Sequence, residues 1–208
     1  AIAEQFRDEG KQVLLLIDSV TRFAMAQREI GLSGGEPPTT RGYPPTVFAE
    51  LPQLLERAGP GPDGAGDITG IFTVLVEGED MNEPVADTVR GIVDGHVVLD
   101  RRIAEQGRYP AVNLQASISR MLPDCHSEGE YTILQAARRT LSKYADMEEL
   151  IRIGAYRPGS DQETDAAIRF FDPVDRYLSQ RKQESTPSAE TFARLARFLD
   201  EAGVKVAE

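Results

Sequence analysis

Apolar and polar positions fall into blocks along the chain, and each block predicts an element. Residues 1–9 carry helical spacing that closes at Gly10, placed as a helix C-terminal glycine. Val13-Leu14-Leu15-Leu16-Ile17 is then an uninterrupted apolar run, the pattern of a strand buried on both faces of a parallel sheet. Helical spacing returns over residues 20–31, and a loop rich in Gly, Pro and Thr fills 31–45. Residues 46–58 predict a third helix, kinked or restarted at Pro52 and closed at Gly59. The Gly- and Pro-rich stretch at 59–67 predicts a flexible surface loop with no regular element. Residues 68–76 read as another buried strand, 77–84 as an acidic turn, 85–93 as a helix ended by Asp94-Gly95, and 96–99 as a short strand. Val112, Leu114, Ala116 and Ile118 alternate as in a half-buried strand. Strand and helix in alternation predict an α/β fold with a mainly parallel sheet.

Beyond Arg120 the character changes. Ser127-Glu128-Gly129-Glu130 and Ser160-Asp161-Gln162-Glu163 have the form of capping boxes, and Thr186-Pro187 places a proline at a helix start. Ile133, Ala136, Ala137 and Leu141, and then Ala167, Phe170, Phe171, Val174 and Leu178, recur at helical spacing. Two domains are expected: residues 1–123, an α/β body, and residues 124–208, all-helical. The first residue is Ala and helical spacing is under way from it, which predicts that these residues belong to a longer protein.

Composition narrows the function classes. The chain has 208 residues with 23 Lys+Arg against 34 Asp+Glu, a net charge of −11. Residues 1–123 hold 11 basic and 18 acidic side chains, and residues 124–208 hold 12 and 16, so neither half carries the basic footprint of a nucleic-acid binder. Arg101-Arg102 and Arg138-Arg139 read as solvated helix or strand-end arginines, or else as local patches for an acidic partner. No apolar run approaches the length of a membrane span. One cysteine, Cys125, and two histidines, His96 and His126, build neither a disulfide nor a four-ligand metal cage, and a reducing, cytosolic home is expected. Met25, Met81, Met121 and Met147 are scattered and read as packing.

Four residues stand out as candidates. Asp18 follows the first apolar strand, where an acid faces the ligand crevice of a parallel sheet and in nucleotide-hydrolysing sheets holds Mg²⁺. The same placement suits a helix N-cap, so both readings stand. Arg22, four residues on, fits either an ion pair with Asp18 or a site near a terminal phosphate. Arg120, at the end of the alternating strand, reads either as solvated or paired at the interdomain seam or as a guanidinium reaching a neighbour's phosphate. Tyr109, before Pro110, is either core or a surface on which a base stacks. No G-x-x-x-x-G-K-[ST] phosphate cradle occurs in the chain.

Residues 14–29 (LLLIDSVTRFAMAQRE), Gly35-Glu36-Pro37-Pro38, residues 41–48 (RGYPPTVF), residues 94–99 (DGHVVL), Arg108-Tyr109-Pro110-Ala111 and Ala116-Ser117-Ile118-Ser119-Arg120 closely resemble the flagellum-specific export ATPases. The likeness extends to virulence-type secretion ATPases and, more distantly, to the catalytic subunits of rotary ATP synthases. It implies the second half of a RecA-like P-loop NTPase core followed by a helical C-terminal domain, in a homohexameric ring that hydrolyses ATP with Mg²⁺. By matching motifs, Asp18 resembles the Walker B acid that organises Mg²⁺, and Arg22 an active-site arginine near the γ-phosphate. Arg120 resembles the arginine finger of the adjacent site, and Tyr109 the aromatic on the adenine. The P-loop and the water-polarising glutamate would lie upstream of Ala1, so these residues alone are expected to be inactive. Rotary relatives place a second aromatic on the adenine just after the segment like residues 176–180; Arg181-Lys182 stand here instead. The implied partners are flagellar export apparatus proteins, stalk and regulator subunits, chaperones and export substrates, with no nucleic acid and at most peripheral membrane contact. The implied location is cytoplasmic, at the face of the export apparatus. A virulence-type secretion ATPase and a non-catalytic ring subunit are the alternatives; an RNA-translocating ring is disfavoured by the acidic halves and the absence of Trp.

Overall fold

The computed structural model describes residues 1–76, 78 and 80–206; Glu77 and Glu79, in the acidic turn expected at 77–84, lie outside the described residues. The chain divides into two compact units, Ala1–Val93 and Asp94–Glu208.

In the first unit α1 (Ile2–Asp8) leads into β1 (Val13–Ile17), α2 (Val20–Ser33), a 3-10 turn (Thr40–Gly42) and α3 (Pro45–Leu55). Then follow β2 (Gly59–Pro60), β3 (Asp67–Phe72) and α4 (Pro84–Ile92). The sheet order is β1-β3-β2. β1 runs parallel to β3 with Val13 opposite Ile68 and Ile17 opposite Phe72, and β2 pairs with β3 antiparallel. Val20 and Ala24 on α2, Val47, Leu51 and Leu55 on α3, and Val85 and Val89 on α4 are four residues apart, so each set shares a helix face. Together with Tyr43 they form one buried cluster, against which Phe72 packs. α3 runs through Pro52 as one helix and ends at Leu55. An interior proline costs about 3 kcal/mol, and burying two leucines at roughly 1.5–3 kcal/mol each offsets that.

Three expectations for this unit are corrected. The apolar run of β1 is not buried on both faces: Leu14 is 62% and Leu16 66% exposed. Alternation puts them opposite the helix-covered face, and no described element covers them. Residues 59–67 are not a structureless loop. They hold β2 and a turn, and the Gly66 N–H donates to the Arg7 carbonyl at 2.8 Å while Gly61 donates to Gly66 at 3.0 Å. A Cβ on Gly66 would stand 2.0 Å from the Lys11 carbonyl oxygen, so backbone contact rather than flexibility explains that glycine. β3 is also shorter than expected, leaving the regular ladder after Phe72.

The second unit contains β4 (Gly95–Leu99), α5 (Arg101–Glu105), β5 (Val112–Ser119), α6 (Glu128–Arg152), α7 (Gln162–Leu178) and α8 (Ser188–Ala202). β4 and β5 pair antiparallel, with a register shift between His96 and Val98. Strand pairing is therefore mixed, with β1–β3 the parallel pair among the described strands. The alternating face of β5 is open, Leu114 and Ile118 being exposed. Ser127 and Glu130 form the expected reciprocal capping box of α6. At α7 the cap is Asp161, not Ser160, whose hydroxyl donates to the Arg157 carbonyl instead. Asp161 accepts from the Thr164 hydroxyl at 2.5 Å and from Lys143 Nζ at 2.9 Å, and these two bonds, in that order, lower its pKa to about 2. Phe170, Val174, Ala137, Leu199 and Ala202 join α6, α7 and α8 in one core. Phe171 stacks on Tyr144 at 3.8 Å between ring centroids. Met25 and Met121 are exposed and pack in neither core.

Candidate functional site

Asp18 follows β1 directly, at the carboxyl end of the parallel pair. The register that sets Ile17 opposite Phe72 carries the next residues, Asp18 and Thr73, side by side, and the Thr73 hydroxyl donates to Asp18 Oδ1 at 2.6 Å. α2 starts at Val20 with Ser19 as its N-cap, so Asp18 is not the cap. Ser19 does not cap with its side chain either, and its hydroxyl is buried without a hydrogen-bond partner among the described residues. The Asp18–Ser19 peptide is cis.

Arg22 is exposed on the first turn of α2, and among the described residues no ion pair joins it to Asp18. Asp18 lies outside the helix, so the i,i+4 geometry that would bring the two together does not apply. The ion-pair reading of Arg22 is thereby corrected.

Main-chain bonds hold this corner together. The Thr73 N–H donates to the Ile17 carbonyl at 3.0 Å, and the Val20 N–H donates to the Thr73 carbonyl at 2.9 Å. In the first turn of α2, the Thr21 hydroxyl accepts from the Leu75 N–H at 2.8 Å and donates to the Leu75 carbonyl at 3.3 Å. Neither threonine stands out in the sequence. The available signal is a hydroxyl residue directly after an apolar strand, Ile71-Phe72-Thr73, and it acquires meaning only when the pairing partner is known.

Among the described residues no group of three or more His, Cys, Asp or Glu is placed to hold a metal ion. What Asp18 offers is a single exposed carboxylate whose Oδ1 accepts from the Thr73 hydroxyl, while no hydrogen bond to Oδ2 is formed among the described residues. An all-oxygen, carboxylate-poor set of this kind suits Mg²⁺, which keeps most of its water shell, and does not suit a protein-caged transition metal.

In the second unit Arg120 follows β5 and is exposed; its N–H donates to the Asp94 carbonyl at 2.7 Å. That bond closes the open end of the β4–β5 ribbon. Gly95 makes the closure sterically possible, since a Cβ there would stand 2.6 Å from the Ile118 carbonyl oxygen. Tyr109 is 58% exposed, which corrects the core reading, and the Tyr109–Pro110 peptide is cis. The segment bearing it is tied down on both sides. The Arg108 Nε lies 3.0 Å from Asp175 Oδ1 on α7, Arg108 Nη2 donates to the Val112 carbonyl at 3.0 Å, and the Gln180 N–H donates to the Tyr109 carbonyl at 2.8 Å. Asp100 caps α5 and accepts from Asn113 Nδ2 at 3.0 Å; that bond, and then the Arg102 N–H, hold its carboxyl below the ordinary Asp range.

Residues 1–119 match the family model described as ATP synthase alpha/beta family, nucleotide-binding domain, and residues 126–197 match the T3SS EscN ATPase C-terminal domain. The flagellum-specific ATP synthase of Caulobacter vibrioides is 58% identical over 204 residues, 96% of this chain and 46% of that protein. That of Bacillus subtilis is 53% identical over 195 residues, 94% of this chain and 44% of the relative. The type 3 secretion system ATPase of Xanthomonas euvesicatoria is 48% identical over 206 residues, 97% and 45%. Among solved structures, the assembled ATPase EscN of the enteropathogenic E. coli type III secretion system superposes with a TM-score of 0.91 at 42% identity, over 95% of this chain and 48% of EscN. EscN in complex with its central stalk EscO gives 0.84 at 41%, over 95% and 47%. The chain thus spans under half the length of the curated relatives it matches. With an α/β body that carries an acid at the end of a parallel strand and a helical unit of the secretion-ATPase type, the chain belongs to the ATP synthase alpha/beta nucleotide-binding family.

Proposed function

We propose that these residues are the carboxyl-terminal part of an ATPase that works as a homohexameric ring and drives flagellar type III protein export, with residues 1–123 completing the nucleotide core and 124–208 the helical domain. The observation that carries the proposal is the Asp18 corner. An exposed carboxylate at the carboxyl end of a parallel strand, the end where ligands of such sheets bind, has one oxygen engaged by Thr73. Identity of 58% to a flagellum-specific ATP synthase supports the flagellar assignment, and 48% to a type 3 secretion system ATPase keeps the injectisome as the alternative.

Mg²⁺, when bound with ATP, neutralises charge on the phosphate oxygens. Asp18 would hold that ion's water shell through its carboxylate, and Arg22, exposed on the first turn of α2, would offer a guanidinium to the terminal phosphate. Arg120 would supply positive charge to the site of the adjacent subunit as the γ-phosphoryl leaves, and the exposed face of Tyr109 would carry the adenine. The helical domain is the proposed meeting place for stalk, chaperone and substrate proteins, at the cytoplasmic face of the export apparatus.

Arg120→Ala in the full-length ring tests the proposal: turnover is expected to fall by about 10³–10⁵-fold with nucleotide binding near wild type. Wild-type-like turnover refutes the role of Arg120. Restoration of swimming in a strain lacking its flagellar export ATPase tests the flagellar assignment, and failure beside an active wild-type enzyme argues for the injectisome.

A further inference from the structure

The Asp18 corner contains more than an acid. From it we infer that Thr73 is a positioning residue, whose hydroxyl fixes the Asp18 carboxylate in the one orientation that presents Oδ2 to a hydrated Mg²⁺. The inference rests on the reading of Asp18 as the acid that organises the metal.

Thr73 is well placed for that task. Its main chain is gripped on both sides of Asp18, by the Ile17 carbonyl before it and the Val20 N–H after it. The stretch that follows is pinned again, because the Thr21 hydroxyl takes the Leu75 N–H and returns a bond to the Leu75 carbonyl. Residues 17–21 and 73–75 are therefore laced together across 55 positions of sequence at the pair that matters, Thr73 and Asp18. A β-branched side chain on so fixed a backbone has few rotamers, so its hydroxyl is aimed before any ligand arrives. The 2.6 Å bond occupies Oδ1. An exposed aspartate without such a donor rotates freely, and a metal that contacts few carboxylates loses affinity when its one carboxylate must be ordered on binding. A mobile carboxylate would weaken the metal without altering the phosphate and base contacts, so the signature is a selective loss of metal affinity.

The test uses the full-length protein and Mn²⁺ as a paramagnetic stand-in for Mg²⁺, titrated by electron paramagnetic resonance in the presence of a non-hydrolysable ATP analogue, alongside the Mg²⁺ dependence of ATPase turnover. Thr73→Val keeps shape and β-branching and removes the donor; Thr73→Ser keeps the donor and removes the methyl. Thr73→Val is expected to weaken Mn²⁺ about 3–10-fold and to raise half-saturating Mg²⁺ to match, with the KM for ATP at saturating Mg²⁺ nearly unchanged, and Thr73→Ser to restore both. Mn²⁺ affinity unchanged in Thr73→Val, or no rescue by serine, overturns the inference. Asp18→Asn separates the two levels of the argument. If it weakens Mn²⁺ while Thr73→Val does not, the metal-acid reading stands and the positioning role falls; if it leaves Mn²⁺ binding intact, both fall.

Discussion

The pair Arg108–Asp175 should hold the Tyr109 segment against α7, and its strength can be worked from the geometry. The Arg108 side chain is 12% exposed and that of Asp175 42%, with Nε 3.0 Å from Oδ1. Two unit charges at that distance attract by about 5.5 kcal/mol at an effective dielectric of ~20 and by about 1.4 kcal/mol at ~80. The half-open carboxylate moves this pair toward the lower figure, and desolvating the guanidinium removes part of the rest. A coupling of about 1–2 kcal/mol is expected. Arg108→Met should cost somewhat more, about 2–3 kcal/mol, because the Arg108 bond to the Val112 carbonyl is lost as well. A double-mutant cycle of Arg108→Met, Asp175→Asn and both together, read by urea denaturation, isolates the pair term. A fluorescent ATP analogue titrated against the same four proteins shows whether a loosened Tyr109 segment loses the base. A coupling within about 0.3 kcal/mol of zero would mean that the contact is ornamental and would refute the reasoning. Full coupling with unaltered nucleotide affinity would instead detach the Tyr109 segment from base binding.

Three further outcomes follow from named contacts. Phe170 is fully buried between α6, α7 and α8, so Phe170→Ala should destabilise the helical unit by about 3–5 kcal/mol, measured by thermal denaturation; a loss under ~1 kcal/mol would contradict a packed core there. Gly66→Ala drives a Cβ to 2.0 Å from the Lys11 carbonyl oxygen, whereas at Gly64, with φ +86, a Cβ meets nothing within 4 Å. The first should cost more than about 2 kcal/mol and the second about 1 kcal/mol, the price of a left-handed backbone alone, and equal losses in denaturant would refute the contact. Asp161 has its pKa lowered to about 2 from 3.8, first by the Thr164 hydroxyl and then by Lys143. A depressed carboxylate contributes stability above its unfolded value that disappears as pH falls through the folded one. The helical unit should therefore weaken between about pH 4 and pH 2, followed by circular dichroism, and Asp161→Asn should flatten that limb; an unaltered limb would show that Asp161 does not set it.

What the sequence determined by itself was local. Four-residue spacing, a capping box at Ser127 and apolar runs between glycines depend on neighbours a turn away, so α2, α6, α7, α8 and the cores of β1 and β3 were legible before any coordinates, and family motifs singled out Asp18, Arg22, Arg120 and Tyr109. Tertiary structure decided what those residues touch. That Asp18 meets Thr73 rather than Arg22 follows from a parallel register between segments 55 residues apart, and no periodicity encodes a register. The open face at Leu14 and Leu16, the close approach that requires Gly66, and the replacement of Ser160 by Asp161 as cap have the same origin. Each is set by which surfaces and donors the folded chain brings near, through competition among contacts that linear spacing leaves equivalent.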